Sequence, residues 1–454
     1  MIAIVNCLQY KLYVKYIGTI LISGLLFSAT TLPAQPKEQV MTLDEMYALA
    51  DANSKTIKIF ETALAGAEQD VSVARNAYLP NVDVSASASY NGNVWVADRD
   101  FSNGQNFTAP HFGNEFSVEA SQVVFAGGAI HNNIKVLEIQ KQISEWNLAE
   151  QRQQVYFLLA GYYLDLYKYR NLLVVYDRNM EQTMEVIGNM RAREAAGVAL
   201  DNDITRYEVQ YQNLSYKRTE LISSIAIYND KLVTMLDLPQ QTEILPDTAL
   251  LTVRLSQPAE TEFQDKAMDF SPLLNRNRLT IDMLGRQKKV TRAGYMPQIS
   301  IFAVDNLKGP ITYEIPTLDN NINVWYFGIG LKFSLGNMYK LPKKMARINT
   351  SIAQARDALD SAEESVMLDV RSAYIRYLDS FELLKTQEKS LQLARENYEV
   401  IANRYANDLV LVTDLVDADN LRLAAEVQYV NAQINVIYNY CKLLYETGTL
   451  NAER

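Results

Sequence analysis

The sequence predicts an α+β membrane protein. Its strands cross a membrane as a barrel shared between copies of the chain, and long coiled-coil helices continue that barrel into water. Three observations predict this. The chain is written twice, each copy carries segments that alternate like membrane strands, and each copy ends in a very long proline-free helical stretch.

The duplication is read from order and spacing. Residues 71–84, VSVARNAYLPNVDV, return at 288–301 as KKVTRAGYMPQISI, so Arg75, Tyr78 and Pro80 fall on Arg292, Tyr295 and Pro297 at an offset of 217. Downstream, AGYYLDLYKYRNLL (160–173) is similar to RSAYIRYLDSFELL (371–384) at an offset of 211, which holds through Arg193/Arg404 to Asp203/Asp414. The reading divides the chain into a signal peptide at 1–34, a first repeat at 35–238, an inter-repeat segment at 239–262, and a second repeat with a C-terminal segment at 263–454.

The leader has Lys11 and Lys15 ahead of an apolar run at 17–29, then Leu32-Pro33-Ala34 as a cleavage site. That run falls short of the ~20 residues a spanning helix needs, so it reads as an export signal and not an anchor. In each copy a helix follows, at 43–77 and 263–294. Each stops at a Tyr-x-Pro motif, Tyr78/Pro80 and Tyr295/Pro297, where the proline disfavours helix and starts extended chain. In the first copy Val82, Val84, Ala86, Ala88 and Tyr90 alternate with Asp83, Ser85, Ser87 and Ser89. In the second, Trp325, Phe327, Ile329, Leu331 and Phe333 share a face opposite Tyr326, Gly328, Gly330, Lys332 and Ser334. One apolar face and one small or polar face suit a strand with lipid outside and water inside. Long polar loops, 91–115 and 306–323, separate the strands of each pair.

No proline occurs between Pro110 and Pro239, or after Pro342. Leu423, Val430, Ile437 and Leu444 form a column seven apart, as do Val427, Ile434 and Cys441, and Ile352, Leu359, Val366 and Ala373. Sevenfold spacing is the signature of coiled-coil packing. Gly197 and Asn407-Asp408 break the two stretches at matching places, so each folds into a hairpin with a longer helix going out and a shorter one returning.

Composition excludes several classes. A net charge of −10 argues against nucleic acid as a partner. Only His111, His131, Cys7 and Cys441 supply imidazole or thiol, which is too few for a metal centre or a disulfide framework. No nucleophile motif or phosphate loop is present, so neither an enzyme nor a cofactor is expected. Two copies supply four strands, and the smallest membrane barrels use about eight. Open edges in lipid leave backbone groups unpaired at several kcal/mol each, so the chain must close a barrel with copies of itself. Two chains would give eight strands and three would give twelve.

The order helix, strand, strand, helical hairpin, written twice behind a signal peptide, resembles the TolC-like outer membrane factor family. The Tyr-x-Pro stops, the Phe125-Ala126-Gly127-Gly128 strand exit and the segment Arg404-Tyr405…Thr413-Asp414-Leu415-Val416-Asp417-Ala418 carry the resemblance. It implies a homotrimer with a twelve-stranded barrel in the outer membrane of a Gram-negative bacterium, a helical tunnel in the periplasm, and a belt to which 237–262 and 445–454 contribute. It implies a passive export duct, without covalent chemistry, in a tripartite efflux pump or type I secretion system. The partners would be a periplasmic adaptor and an inner-membrane pump of RND or ABC type. Asp414 and Asp417 match the family's entrance aspartates, and three apart on a helix they can share one side. Tyr405 matches a tyrosine that helps hold the entrance shut through a hydrogen bond to an aspartate, here Asp203. The family's tip glycine is kept as Gly197 but stands as Asp408 in the second copy, and the basic latch residue of some relatives stands as Val410. Adaptor docking would use Arg193, Gly197, Val198, Arg404 and Leu409 at the tips, with Arg191, Ala196, Leu200 and Asn403 beside them. The alternative is a periplasmic or secreted coiled-coil scaffold without channel activity, which accounts for the helices but not for the strands or the duplication.

Overall fold

The computed structural model describes residues 37–197, 200–247 and 258–450. The signal peptide at 1–34 and Val198 lie outside the described residues. The elements in order are β1 (Lys37–Met41), α1 (Leu43–Asn53), α2 (Lys55–Arg75), a short 3-10 turn (Asn76–Tyr78), β2 (Asn81–Tyr90), β3 (Val94–Val96), β4 (Gln105–Phe107), β5 (Phe112–Phe125), α3 (Ala129–Ala195) and α4 (Asp201–Met235). The second half contains β6 (Thr242–Pro246), α5 (Glu260–Phe270), α6 (Pro272–Ala293), β7 (Gln298–Gly309), β8 (Ile322–Lys332), α7 (Asn337–Ala406) and α8 (Val412–Thr447).

Both copies follow the expected plan, with three departures. The first helix of each copy is broken. Ser54 stands between α1 and α2 in an extended conformation and accepts from the Ile57 amide, so it caps a new helix. Ser271 stands between α5 and α6 because Pro272 follows it, and a residue before proline is pushed out of the helical region. Both polar loops are shorter than expected, since β5 begins at Phe112, β7 runs to Gly309 and β8 begins at Ile322, and the first carries its own hairpin of β3 and β4. The inter-repeat segment holds β6, which pairs in parallel with the N-terminal β1.

Four strands form one antiparallel sheet in the order β2-β5-β7-β8. Register fixes its two faces. Val84 lies opposite Val118, which lies opposite Asp305 and then Trp325, while Ala120 joins Val82 to Ala303 and Phe327. Apolar side chains therefore share the outward face, where Phe327 is 80% exposed and Ile329 76%. The other face carries Asp83, Ser85, Ser87, Ser117, Glu119 and Ser300. Phe302 lies on that polar face, as do Val304, Val324 and Tyr326. Its ring lies over Gly328 and Gly330, and a Cβ at Gly328 would stand 2.8 Å from it. The glycines let the ring lie along the wall.

The long helices are 67 and 70 residues in α3 and α7, returning through α4 and α8 of 35 and 36. At 1.5 Å per residue the outgoing helices reach about 100 Å. Contacts run α4 to α3, α3 to α8 and α8 to α7, so the two hairpins of a chain lie side by side. The main core sits where the hairpins meet the belt, around Tyr156, Leu159, Tyr163, Phe263 and Tyr377. Tyr163 donates to the Met41 carbonyl at 2.9 Å and accepts from the Asp247 amide at 2.8 Å, holding β1 against α3. Burial pushes its phenol up to about 12. Its repeat counterpart Tyr374 donates to the Pro258 carbonyl at 3.2 Å, so each copy ties a belt segment down through the same tyrosine.

Candidate gate and membrane wall

The hairpin tips obey the repeat offset. Helix α3 ends at Ala195 and α7 at Ala406, while α4 starts at Asp201 and α8 at Val412, each 211 apart. Gly197 turns the first tip at φ +75 and Asp408 turns the second at φ 59. Only glycine takes that region freely, and aspartate is among the few side chains that tolerate it. The departure from glycine at Asp408 therefore keeps the turn. The same bonds close both tips: Gly197 N–H donates to the Glu194 carbonyl, and Asp408 N–H to the Tyr405 carbonyl.

Asp414 and Asp417 are both exposed in the first turns of α8. Asp414 Oδ2 accepts from the Leu411 amide at 3.1 Å, capping the helix. The cap fixes its backbone at the tip, and among the described residues the other oxygen has no hydrogen bond. Tyr405 and Asp203 stand within electrostatic range. Burial raises the Tyr405 phenol, Arg193 opposes that, and Asp203 adds to it. No hydrogen bond joins Tyr405 to Asp203 among the described residues.

Arg193 is placed differently from its neighbours. Its guanidinium bonds the Asp408 carboxylate and lies 5.3 Å from the Tyr405 ring centre. Gly197, Leu200, Arg404 and Leu409 point to solvent, with Leu200 69% exposed and Leu409 71%. Beneath the tip surface, Ile187, Met190, Ile204, Tyr207, Val412 and Leu415 form a separate apolar cluster shared by both hairpins.

About 20 Å further up the helices, at 1.5 Å per residue, sits a buried polar node that sequence reasoning missed. Arg422 donates to Asn179 Oδ1 at 2.8 Å, Gln182 Oε1 at 2.7 Å and Asp419 Oδ1 at 2.7 Å. Gln210 donates to Asp419 Oδ2 at 2.9 Å, and Asn179 donates to Glu426 at 3.2 Å. Arg395 reaches Glu426 at 3.2 Å, and the Arg422 guanidinium lies 4.3 Å from the Tyr398 ring centre. All four tunnel helices contribute. Burial raises the Asp419 carboxyl above its ordinary value even though Arg422 pulls it down. The signal was present in the sequence: Asp419, Arg422 and Glu426 recur at three and four, the spacing of a helical core seam.

The sheet supplies the wall. Strands β2 and β8 each leave one edge unpaired among the described residues. The outward face is mostly apolar, interrupted by Asp305 between Val118 and Trp325 and by Gln122 beside Ile301, with Asn114 and Asn323 toward the loops. A mostly apolar outward face suits contact with lipid. Among the described residues no helix is long and apolar enough to cross a membrane, and no cluster of metal-ligating side chains occurs.

Comparison with known proteins agrees with this geometry. Residues 46–221 and 265–444, one stretch in each copy, match the family described as "Outer membrane efflux protein". The chain is 19% identical to the outer membrane efflux protein BepC of Brucella suis biovar 1, over 85% of this chain and 81% of that one. It is 21% identical to the outer membrane protein TolC of Escherichia coli K12, over 91% of this chain and 84% of that one. The crystal structure of the outer membrane protein VceC of Vibrio cholerae superposes with a TM-score of 0.74 at 13% identity, covering 89% of this chain and 96% of that one.

Proposed function

We propose, for a chain that belongs to the outer membrane efflux protein family, a gate at the periplasmic hairpin tips and a selectivity ring just inside it. The protein is an outer-membrane efflux channel subunit with its helical part in the periplasm, and its fold is the protomer of the trimeric barrel-and-tunnel channels. Four strands per chain with two open edges give twelve strands in a closed ring of three. The observation that carries this function is one sheet with an uncovered apolar face joined to two helical hairpins of about 100 Å.

In such a trimer, Asp414 and Asp417 form two stacked rings of carboxylates at the narrow end. Rings of that kind attract cations and repel anions. Tyr405 and Asp203 act as a closing latch, with the bond made as the tips draw together. The exposed Gly197, Arg404 and Leu409, with Val198, dock a periplasmic adaptor, and an inner-membrane pump of RND or ABC type drives export. The channel is passive, with chemistry supplied by the pump. Arg193 takes part from the edge of that surface, with its guanidinium on Asp408 and over the Tyr405 ring.

Ion selectivity in planar bilayers tests the ring. The wild type is expected to prefer cations, and Asp414→Asn/Asp417→Asn to lose most of that preference while still conducting. Unchanged selectivity in the double variant would remove these residues from the filter.

A further inference from the structure

We infer that the top of the tunnel carries a cationic collar facing the lumen, built from Lys332, Lys340, Lys344 and Arg347 of each chain, which takes multivalent anionic groups, phosphate or clustered carboxylate, on the solutes that pass. This rests on the channel reading above and adds a second charged zone, far from the hairpin tips.

The collar runs against the charge of the chain. The whole sequence carries −10, yet the opening stretch of α7, 337–347, holds Lys340, Lys343, Lys344 and Arg347 and no acid. The opening stretch of α3, 129–139, holds Lys135 and Glu138, which bond each other at 2.6 Å. Arg75 closes on the same Glu138 at 3.1 Å. The second copy has no such arrangement. Lys332, Lys340, Lys344 and Arg347 are all exposed, and among the described residues none of them forms an ion pair within the chain.

Two separate placements put these cations inside the duct. Lys332 ends β8 on the polar face of the sheet, the side of Tyr326, Gly328 and Gly330, while its neighbour Leu331 points outward. For α7 the packing partners decide. Leu341 is buried against Gly294 at the end of α6, and further down Glu363 reaches Arg278 of α6 at 3.5 Å, so these residues mark the seam with α6. To one side of that seam, Arg371 meets Glu260 at 4.0 Å and Tyr374 donates to the Pro258 carbonyl, so that flank carries the belt. A belt on the inner flank would plug the bore, so the belt flank is the outside of the wall. Arg347 lies about seven and a half turns from Tyr374, which is the opposite flank, and Lys340 and Lys344 stand one or two turns above it on the same side. Arg356 lies about five whole turns from Tyr374 and returns to the belt flank.

The collar sits between acidic zones. Asp414 and Asp417 stand below it at the second tip, and on the polar face of the sheet above it Asp83 lies directly across from Glu119. Asp70, exposed near the top of α2, offsets one cation of the four. Three chains bring three such sets around one bore, and rings of lysine and arginine favour anions. Stacked along about 15 Å of helix, they suit a group with several charges better than a single small anion.

Purified full-length trimer is recorded in planar bilayers of uncharged lipid, with inorganic tripolyphosphate added on the barrel side, where the probe reaches the collar without crossing the tips. Block of the wild-type current is expected. The half-blocking concentration should rise at least about tenfold in Lys340→Gln/Lys344→Gln/Arg347→Gln, since each exposed ion pair lost is worth up to about fivefold, and it should rise with salt. Arg356→Gln, on the belt flank of the same helix, should be blocked like the wild type. Lys344→Glu alone should shift the block in the same direction as the triple variant, and serves in its place if three substitutions prevent assembly. A conducting wild type that tripolyphosphate does not block, a block unchanged in the collar variants, or an equal loss in Arg356→Gln would overturn the collar and leave the channel standing. A folded wild type that does not conduct would sink the channel reading, and the collar with it.

Discussion

The two copies place four left-handed residues at two equivalent positions, and they fill them in opposite ways. The hairpin tip is Gly197 in the first copy and Asp408 in the second. The end of the return helix is Asp237 in the first and Gly448 in the second, again 211 apart. The backbone bonds are the same at both helix ends, Leu238 N–H to the Val233 carbonyl and Thr449 N–H to the Leu444 carbonyl. What differs is the surroundings. A Cβ on Gly448 would stand 2.5 Å from the Phe270 carbonyl, so only glycine fits. Asp237 faces water and pairs with Lys55 at 3.2 Å, and Asp408 pairs with Arg193. A duplicated backbone plan fixes the conformation, and the neighbours of each copy decide whether a side chain is allowed or used.

That comparison can be broken by exchanging residues between copies. The largest effect is expected at the node. Arg422→Met leaves Asp419 buried without its cation, which costs about 3–5 kcal/mol, whereas Tyr211→Met at the equivalent place should cost much less. Thermal unfolding of the detergent-solubilised trimer reads both, and equal losses would mean that the equivalent positions of the two copies matter alike. Next comes Gly448→Asp, which should lose about 1–2 kcal/mol from the left-handed backbone alone, plus the clash with Phe270. Asp237→Gly should change stability by only a few tenths of a kcal/mol, since its ion pair is exposed. Guanidinium melts of the two variants would show whether this order is reversed.

The smallest effect is a pH slope. The folded Asp419 carboxyl sits above its ordinary 3.8, so the folded state holds that proton more tightly than the unfolded chain. Its contribution to stability is therefore full at low pH and is lost as pH rises through the window from about 3.8 to the raised value. Asp419→Asn should flatten stability against pH in that window. A slope that survives the substitution belongs to other groups.

Much of this fold was legible in the sequence because it is periodic. The alternation of Val82 to Tyr90 and of Trp325 to Leu331 gave the outward face of the sheet, and Gly197 and Asp408 marked both tips. The parallel pairing of β1 with β6 was not legible, since five-residue strands some 200 residues apart carry no periodic signal of each other. The break at Ser271 is legible in Pro272, but the helical periodicity running through both sides of it masks the break. At the second hairpin tip, Asp414 and Asp417 could be placed on one exposed side from spacing alone. The partner of Arg193 could not, because it comes from the other hairpin, 215 residues away.

In a membrane duct the outward face of the sheet meets lipid while the helices below it meet water. Trp325, 71% exposed on that face, reports it directly. With Trp95→Phe and Trp146→Phe it becomes the only tryptophan of the three in the chain. The trimer would be reconstituted into vesicles whose lipids are brominated near the headgroup, and the tryptophan fluorescence compared with that in ordinary lipid. Strong quenching by the brominated lipid is predicted. Folded, vesicle-associated protein whose Trp325 emission is untouched by bromine and is quenched instead by aqueous iodide would contradict the membrane wall, and with it the duct.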